Sequence, residues 1–290
     1  MTYHYPTANN VYPDQPHKSY RLKRFRFWLR SVLHASQVKK FSRFANRHPE
    51  LSELLKAYPN YSYPVIHRFL DKRFNAEQRL EIVCDNLTFL PQKFAQYHLP
   101  PLWVKPISFG EFIPDFEIRL NINEYQAMEG FWALELRQKS SRRLVYLLTF
   151  GKIEQSLLIG VIQGANTENA KDLVKFLTKQ CHGLRPAYLL IEVMKLLAHT
   201  LGYQLLGIPH KYQNKSRFIQ SKRYTVNYDT LFSESGGLLQ EYWQLPLALN
   251  KDLTDVPSKK RSMYRKRFEM LDKLADVIQQ TFPLPPSSSS

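Results

Sequence analysis

The sequence has few cysteines and no long apolar run. Its two cysteines, Cys84 and Cys181, lie far apart in 290 residues and outside any C-x-x-C spacing, which argues against a disulfide framework and a structural zinc site and indicates a reducing compartment. No apolar stretch approaches the roughly 18 residues of a membrane-spanning helix. The first twenty residues also lack the basic start, apolar middle and cleavage site of a secretory signal. These absences predict a cytoplasmic protein whose membrane contact is at most peripheral.

The common catalytic motifs are missing as well. The sequence contains no G-x-S-x-G elbow, Walker A loop, dinucleotide-binding fingerprint or H-E-x-x-H pair, which argues against the hydrolase, nucleotide-hydrolysis and dehydrogenase chemistries that depend on them. The histidines, His182, His199 and His210 among them, show no metal-ligand spacing, so we predict no metal site. His199 lies in an apolar helical segment and is expected in the core.

Acidic residues are outnumbered by basic ones, 25 against 41, and the net charge of +16 predicts an anionic partner. The candidates are a membrane surface, a phosphorylated or otherwise anionic small molecule, and nucleic acid. We rank nucleic acid last, because no recognised nucleic-acid-binding motif accompanies the charge.

The basic excess is concentrated near the N terminus. Ten Lys or Arg residues and no acidic residue lie between Lys18 and Arg47. Apolar residues recur among them at helical spacing and predict a basic amphipathic helix: Leu22, Phe25, Leu29, Val32 and Leu33. With the nearby rings of Phe27 and Trp28, this helix suits the interface of an anionic bilayer. The alternative is a helix that packs on the domain with a solvated basic face.

Composition and periodicity divide the chain into five parts. Residues 1–17 read as a flexible arm, 18–113 as a helical N-terminal region, 114–250 as an α/β core, 251–282 as a C-terminal basic helix and 283–290 as a disordered tail.

The core alternates strand-like and helical segments. Strands are predicted at 116–122, 131–136, 144–150, 157–162 and 203–208, with a further possible strand at 239–245. The first four are separated by short turns, which favours antiparallel hairpins. A helix opening at Asn166 and an apolar helix over 187–201 follow, the latter ending at Gly202. We therefore predict an α+β, or mixed α/β, fold with a central, mostly antiparallel sheet, flanking helices and a basic helix at each end.

One turn at the start of the apolar helix is a candidate anion site. It reads His182-Gly183-Leu184-Arg185-Pro186. Pro186 suits the first turn of a helix, and Gly183 permits a tight backbone approach. A histidine and an arginine beside the positive end of a helix are typical of a phosphate or carboxylate site. The alternative is a plain loop whose arginine pairs with a carboxylate of its own chain.

A second candidate lies where the strand at 157–162 turns into a helix. Gln163 and Gly164 occupy that turn. In acyltransferases of the GNAT type, a turn at this location holds the pyrophosphate of coenzyme A, and the order of strands and helices is similar. The diagnostic glycine-rich loop is absent, so the likeness concerns architecture. It makes acyl-coenzyme A a possible ligand.

A third candidate lies further along the chain. Lys222-Arg223-Tyr224, followed by Tyr228-Asp229, reads either as a basic patch with a general acid or base, or as a strand with alternating faces. His210 and Asn214 follow the strand at 203–208, at a sheet edge where ligands of α/β folds commonly bind. A surface turn explains these two residues equally well.

Taken in order, several of these pieces resemble the VirK/YbjX family of bacterial proteins. They are Gln163-Gly164, the turn from His182 to Pro186, Lys222-Arg223-Tyr224, Tyr228-Asp229, and Glu234 with Gly236-Gly237. The resemblance runs from about residue 21 to 282. The chain differs from many relatives in having Leu231-Phe232 in place of a Phe-Trp pair and Pro209-His210 in place of a Ser-Asn pair.

The resemblance implies an association with virulence, envelope stress and resistance to cationic antimicrobial peptides, without an established reaction. Two functional hypotheses follow. In the first, the protein binds an acylated or phosphorylated ligand on a GNAT-like core, with Gln163, Gly164, His182, Gly183 and Arg185 as anion contacts. In the second, it is a non-enzymatic envelope factor that binds a membrane or a partner through its basic helices.

Overall fold

The computed structural model describes residues 2–17, 19–164, 169–213 and 227–283. Over these residues the strands form one eight-stranded sheet in the order β1-β2-β3-β4-β5-β6-β8-β7. The strands are β1 (Ile107–Ile113), β2 (Phe116–Ile122), β3 (Trp132–Gln138), β4 (Leu144–Ile153), β5 (Ser156–Gly164), β6 (Gln204–Gly207), β7 (Leu238–Leu239) and β8 (Trp243–Leu245). Among these described strands, only β5 and β6 pair in parallel. The predicted class, a mostly antiparallel sheet in an α+β fold, is confirmed.

The described residues also form helices along the whole chain. They are α1 (Ala8–Val11), α2 (Arg21–Leu33), α3 (Ala35–Arg47), α4 (Ser52–Ala57), α5 (Ala76–Gln96), α6 (Ala170–Gln180), α7 (Pro186–Leu201), α8 (Tyr228–Glu234) and α9 (Ser258–Thr281). Short 3-10 helices occupy Pro49–Leu51, Pro59–Ile66, Ala127–Glu129 and His210–Tyr212. The two basic helical regions predicted at the ends of the chain are therefore present.

Helix α7 is the central helix of the core. Pro186 opens it and Gly202, with φ of 78°, ends it in the left-handed conformation that favours glycine. Ten of its sixteen residues are buried, because the helix packs against strands β3 to β6 and against α9. His199, predicted to be a core residue, lies instead on an exposed part of α7. The prediction is wrong for this residue because the apolar face of α7, although wide, does not include position 199.

Strand alternation places an apolar row and a polar row on opposite faces of the sheet. In β2 and β3 the apolar row is fully buried: Phe116, Ile118, Leu120, Ile122, Trp132, Leu134 and Leu136. The polar row carries charges that pair within their own strand, Arg119 with Glu117 and Arg137 with Glu135. Buried charges are tolerated in such rows because each has its counterion.

Strand β1 lies in the region for which the sequence predicts helices only, so that part of the prediction is wrong. Its pairing with β2 has two register shifts, one between Ser108 and Glu111 and one between Glu111 and Ile113, and Gly110 adopts φ of 78° within the first. The shifts break the two-residue alternation, which is the signal that identifies a strand in sequence.

Residues 2–17, for which composition predicts a flexible arm, lie against the helical region. Tyr3 and Tyr5 contact Phe41, Tyr5 also stacks on Phe27, and their hydroxyl groups bond Ser62. Aromatic residues dispersed among prolines give no periodic pattern, yet each ring buries a large apolar area when a partner is available. Most of the predicted tail, residues 284–290, lies outside the described residues.

Candidate functional site

The turn before α7 has the backbone that its sequence predicts. His182 and Gly183 adopt φ of 52° and 80° in succession, and Arg185 is the residue that precedes the first turn of α7. A Cβ atom on Gly183 would lie 3.1 to 3.3 Å from Arg267 and Met263 of α9. Glycine is therefore required here both by conformation and by close packing.

Arg267 of α9 binds this turn directly. Its Nε and Nη2 atoms donate hydrogen bonds to the carbonyl oxygen of His182, over 3.2 and 2.9 Å. The guanidinium also lies 4.1 Å from the centre of the Tyr264 ring. The cation that bonds the backbone of the turn thus comes from α9, and it holds a carbonyl of the same chain.

His182 lines a cleft of about 430 Å³ between β1 and α9. The lining combines apolar side chains with charged ones: Phe109, Glu111, Phe112, Ile113, His182, Lys266, Glu269, Met270, Lys273, Leu274 and Val277. Glu111 is already paired with Lys139 over 2.8 Å. The cleft has the volume of a small-molecule site, with an apolar floor and a charged rim.

Arg185 is exposed and does not line the cleft. Among the described residues no carboxylate lies within ion-pair distance of it, so the alternative of an arginine neutralised by its own chain finds no support there. One turn further along α7, Tyr188 donates a hydrogen bond to Glu234 of α8. Burial, followed by this carboxylate, raises the pKa of Tyr188 to about 12, and the charge of Arg185 partly offsets the rise.

Gln163 and Gly164 form the end of β5, paired with Leu147 and Tyr146 of β4. A Cβ atom on Gly164 would lie 2.9 Å from the Tyr146 ring, so packing alone accounts for this glycine. Beside them, the Tyr228 hydroxyl of α8 accepts a hydrogen bond from Ile162 N (3.1 Å) and donates one to Ile162 O (3.0 Å). Beyond the point where β6 ends, the Tyr228 hydroxyl therefore satisfies the two backbone groups of β5 that a neighbouring strand would otherwise bond.

The remaining motif residues fix the position of α8. Asp229 accepts hydrogen bonds from the backbone nitrogen of His210 (2.9 Å) and from Trp243 Nε1 (2.8 Å). Gly236, at φ of 82°, and Gly237 end the helix, and a Cβ atom on Gly237 would lie 2.7 Å from the carbonyl oxygen of Phe232. These contacts give Asp229 and both glycines structural roles.

Helix α8 connects the two predicted anion sites. Its first residue bonds β5 beside Gln163, and its last bonds α7 one turn from Arg185. No hydrogen bond or ion pair of the described residues joins Gln163 or Gly164 directly to His182, Gly183 or Arg185. Lys222, Arg223, Tyr224 and Asn214 lie outside the described residues.

Most of the exposed large apolar side chains of the described residues lie on α2. Six residues of this helix have large apolar side chains that are 41 to 70% exposed and that we call the α2 apolar face: Leu22, Phe25, Trp28, Leu29, Val32 and Leu33. Phe27, whose ring the sequence places with that of Trp28 at a bilayer interface, lies on the opposite side and is buried in the domain, so that part of the prediction is wrong. The helix therefore has an inner face for the core and an outer apolar face turned to solvent. Exposed Arg21, Lys23 and Arg26 flank it.

Sequence reasoning found the α2 pattern but missed Arg267, Tyr188 and the cleft. Arg267 is one of several basic residues on α9, and nothing local distinguishes it from the others. Within the described residues no helix is long and apolar enough to cross a bilayer, and no group of three or more His, Cys, Asp or Glu side chains is placed to hold a metal ion.

Comparison with known proteins adds a family to this geometry. Residues 16–280 match the family model described as "Protein of unknown function (DUF535)". An uncharacterized protein of Haemophilus influenzae is 56% identical over 284 residues, which cover 98% of this chain and 97% of the relative. The protein named "Membrane protein LapB" of Mannheimia haemolytica is 64% identical over 215 residues, 74% of this chain and 95% of the relative.

A more distant relative is YbjX of Escherichia coli, 24% identical over 290 residues, which cover 92% of this chain and 86% of the relative. No solved structure matches the chain. The family match spans both the α2 apolar face and the turn before α7. The chain belongs to the DUF535 family, the VirK/YbjX family that its motifs predict.

Proposed function

We propose that the protein binds the surface of an anionic membrane through the α2 apolar face. The observation that carries the proposal is the exposure of six large apolar side chains on one helix, next to basic residues and without an acidic residue between positions 15 and 49. A contiguous apolar patch of this kind marks an interaction site in a soluble domain.

The chemistry of α2 favours a bilayer over a protein partner. Phe25 and Trp28 are rings of the type that enter the boundary between headgroups and acyl chains, while Arg21, Lys23 and Arg26 lie where headgroup phosphates would be. Each basic residue near an anionic surface contributes about 1 kcal/mol. Phe27 keeps the helix attached to the domain, so the outer face can bind lipid without unfolding the core.

Two further points support this assignment. A relative that is 64% identical is named a membrane protein. The cytoplasmic leaflet is anionic, so a basic amphipathic helix suits the inner face of the inner membrane. An envelope factor at that position agrees with the roles in virulence, envelope stress and antimicrobial-peptide resistance that the family resemblance implies.

Vesicle flotation tests the proposal. The wild-type protein should float with vesicles containing phosphatidylglycerol and remain behind with neutral phosphatidylcholine vesicles. The double variant Phe25→Ser, Trp28→Ser should bind about 100-fold more weakly, because each ring contributes about 1.5 kcal/mol at an interface. Leu238→Ser, Leu239→Ser is the matched control, since both leucines are exposed but lie on β7. Equal flotation of the two double variants would refute the proposal.

A second candidate function is the binding of an anionic, acylated ligand. The observation that favours it is the cleft between β1 and α9, whose apolar floor has His182, Lys266 and Lys273 beside it. Gln163 and Gly164 also lie at the end of β5, the strand that pairs with β6 in parallel, and a turn at the end of such a strand holds coenzyme A in GNAT-type acyltransferases. The backbone of Ile162, however, is already bonded by Tyr228, so a pantetheine arm would have to displace that side chain.

Thermal unfolding separates these ideas. A fatty acid or acyl-coenzyme A that occupies the cleft should raise the midpoint of the wild-type protein and leave that of Lys266→Ala, Lys273→Ala unchanged. Lys259→Ala, Lys260→Ala on the same helix is the control. Arg185→Ala reports on the turn: loss of the shift would place the ligand at the start of α7, and an unchanged shift would place it in the cleft. No shift with either ligand class removes this second function and leaves membrane binding unaffected.

A further inference from the structure

The cleft between β1 and α9 has a charged end and an apolar end. Its charged end lies toward the start of α9, where Arg267 donates two hydrogen bonds to the carbonyl oxygen of the lining residue His182. Its apolar end lies toward the end of α9, where the ring of the lining residue Phe109 packs 6.4 Å from the ring of Phe282. A ligand in the cleft would therefore meet charge at one end and apolar side chains at the other.

Aromatic rings close the apolar end. Phe282 is only 1% exposed, and its ring contacts those of Phe94 and Tyr97 at the end of α5, with ring centres 5.6 and 5.5 Å apart. An apolar wall of this kind favours an alkyl chain over a polar ligand. The wall consists of residues at helical spacing on α9 and of residues on the opposite strand β1: Met270, Leu274, Val277, Phe109, Phe112 and Ile113.

The charges on the rim favour an anionic head group. Lys266 and Lys273 line the cleft two turns apart on α9. Glu111 also lines it, but its carboxylate pairs with Lys139 over 2.8 Å. Glu269 lies between the two lysines on α9 and offsets part of their charge. Counted together, these residues carry three positive and two negative charges, so the rim keeps an excess of positive charge.

The two walls limit the length of a bound chain. The α9 wall runs from Lys266 to Val277, which is about 16 Å at about 1.5 Å per residue. The β1 wall runs from Phe109 to Ile113, which is about 13 Å at about 3.3 Å per residue. Because an extended alkyl chain advances by about 1.3 Å per carbon, given its bond length and bond angle, the walls match a chain of about 10 to 12 carbons.

We propose that the cleft binds a single straight acyl or alkyl chain of about 10 to 12 carbons, with its anionic head group beside His182 and Lys266. The proposal rests on the second candidate function and names a single-chain amphiphile as its ligand. The head group can be a carboxylate or a phosphate monoester, because each offers several acceptor oxygens to an ammonium group.

The first experiment measures the dissociation constants of wild-type protein for straight-chain fatty acids and alkyl phosphates by calorimetry. The chains range from about 8 to 16 carbons, each used below its critical micelle concentration. Up to the limit of the cleft, each added carbon should strengthen binding about fourfold, because it removes one methylene group from water. Beyond about 12 carbons the affinity should stay constant, since further carbons remain in solvent. The series that binds more tightly at equal chain length identifies the head group.

The variant Val277→Phe tests the apolar end. Val277 is half-buried and lines the cleft, so a phenyl ring at this position would fill part of the apolar end. The chain length at which the affinity stops rising should fall by about two carbons. Gln280→Phe is the matched control, because Gln280 is exposed on the same helix and does not line the cleft. Thermal midpoints without ligand check that both variants are folded.

The variant Lys266→Ala tests the charged end. It should weaken the binding of every chain by the same factor, up to about fivefold, and leave the length limit unchanged. Lys259→Ala is the control, because Lys259 is exposed and lies outside the cleft. In the wild type, an affinity that keeps rising to about 16 carbons would overturn the proposed ligand but not the second candidate function. A length limit that does not move in folded Val277→Phe would do the same. Failure of every chain to bind would instead remove the second candidate function itself.

Discussion

The hydroxyl group of Tyr228 bonds both the N–H and the carbonyl oxygen of Ile162, three residues beyond the last residue of β5 that pairs with β6. A side chain from a helix thereby completes the ladder of a buried strand. This contact gives Tyr228, one of the residues on which the family resemblance rests, a structural role: without it, two backbone polar groups in the core would lack partners.

Tyr228→Phe should lower the free energy of unfolding by about 1 to 3 kcal/mol, because it leaves a buried donor and a buried acceptor unpaired. Urea unfolding at neutral pH measures the change. Tyr146→Phe is a suitable control, since the Tyr146 ring also packs at the end of β5. Equal effects of the two substitutions would contradict the role assigned to the Tyr228 hydroxyl.

Lys195 of α7 is buried and donates hydrogen bonds to Glu192 and to the carbonyl oxygen of Ser235, each over 2.8 Å. Lys195→Met should destabilise the fold by about 3 kcal/mol, because it leaves the largely buried carboxylate of Glu192 without its counterion. Adding Glu192→Gln should recover part of the loss. Additive destabilisation in the double variant, measured by urea unfolding, would show that the two side chains act independently.

Gly160 of β5 lies directly beneath the backbone of the loop before β3. A Cβ atom there would stand 1.9 Å from the carbonyl oxygen of Glu129, whereas one on Gly202 would meet nothing within 4 Å. Gly160→Ala should therefore cost more than about 3 kcal/mol, and Gly202→Ala only the 1 to 2 kcal/mol of its left-handed backbone. The thermal midpoints of the purified variants give the comparison. A small fall in the midpoint of Gly160→Ala would show that the loop before β3 can move to accommodate the added Cβ atom.

Asp115 ties the β1–β2 turn to the β3–β4 turn. Gln138 donates a hydrogen bond to its carboxylate, as do the backbone and hydroxyl groups of Ser140, and these bonds lower the pKa of Asp115. A carboxylate whose folded pKa lies below its unfolded value stabilises the protein above that unfolded value, near pH 4, and the contribution is lost as the pH falls through the folded pKa.

The wild-type protein should accordingly lose stability below about pH 4, and Asp115→Asn should be less stable at pH 7 and less sensitive to acid. Asparagine tolerates the positive φ of this position, so the substitution tests the charge and not the backbone. Denaturant midpoints at pH 7, 4 and 3 provide the measurement. Parallel curves for the two proteins would exclude Asp115 as a source of the acid sensitivity.

Both cysteines should be unreactive in the native state. Burial raises the pKa of Cys181 to about 12, and burial together with the charge of Asp85 does the same for Cys84. At pH 8 almost no thiolate is present, so Ellman's reagent should label neither residue until guanidinium unfolds the protein. Rapid labelling of two thiols in native protein would contradict the burial of these side chains.

The sequence by itself determined the class of fold and the nature of α2. Strands β2 to β6 and helices α7 and α9 follow from apolar periodicity, which depends on neighbours a few residues apart and can be read without knowing the fold. The basic amphipathic character of α2 is a property of the same kind. The sequence indicated an apolar face on this helix but not which side would meet the core.

Only the tertiary structure decided which groups meet. Arg267 binds His182 across 85 residues of chain, and Tyr228 bonds Ile162 across 66. Which groups pair at such separations depends on how whole helices and strands pack. An unpaired charge or amide has no local signature in the sequence, because its free-energy cost arises only when folding removes the water around it.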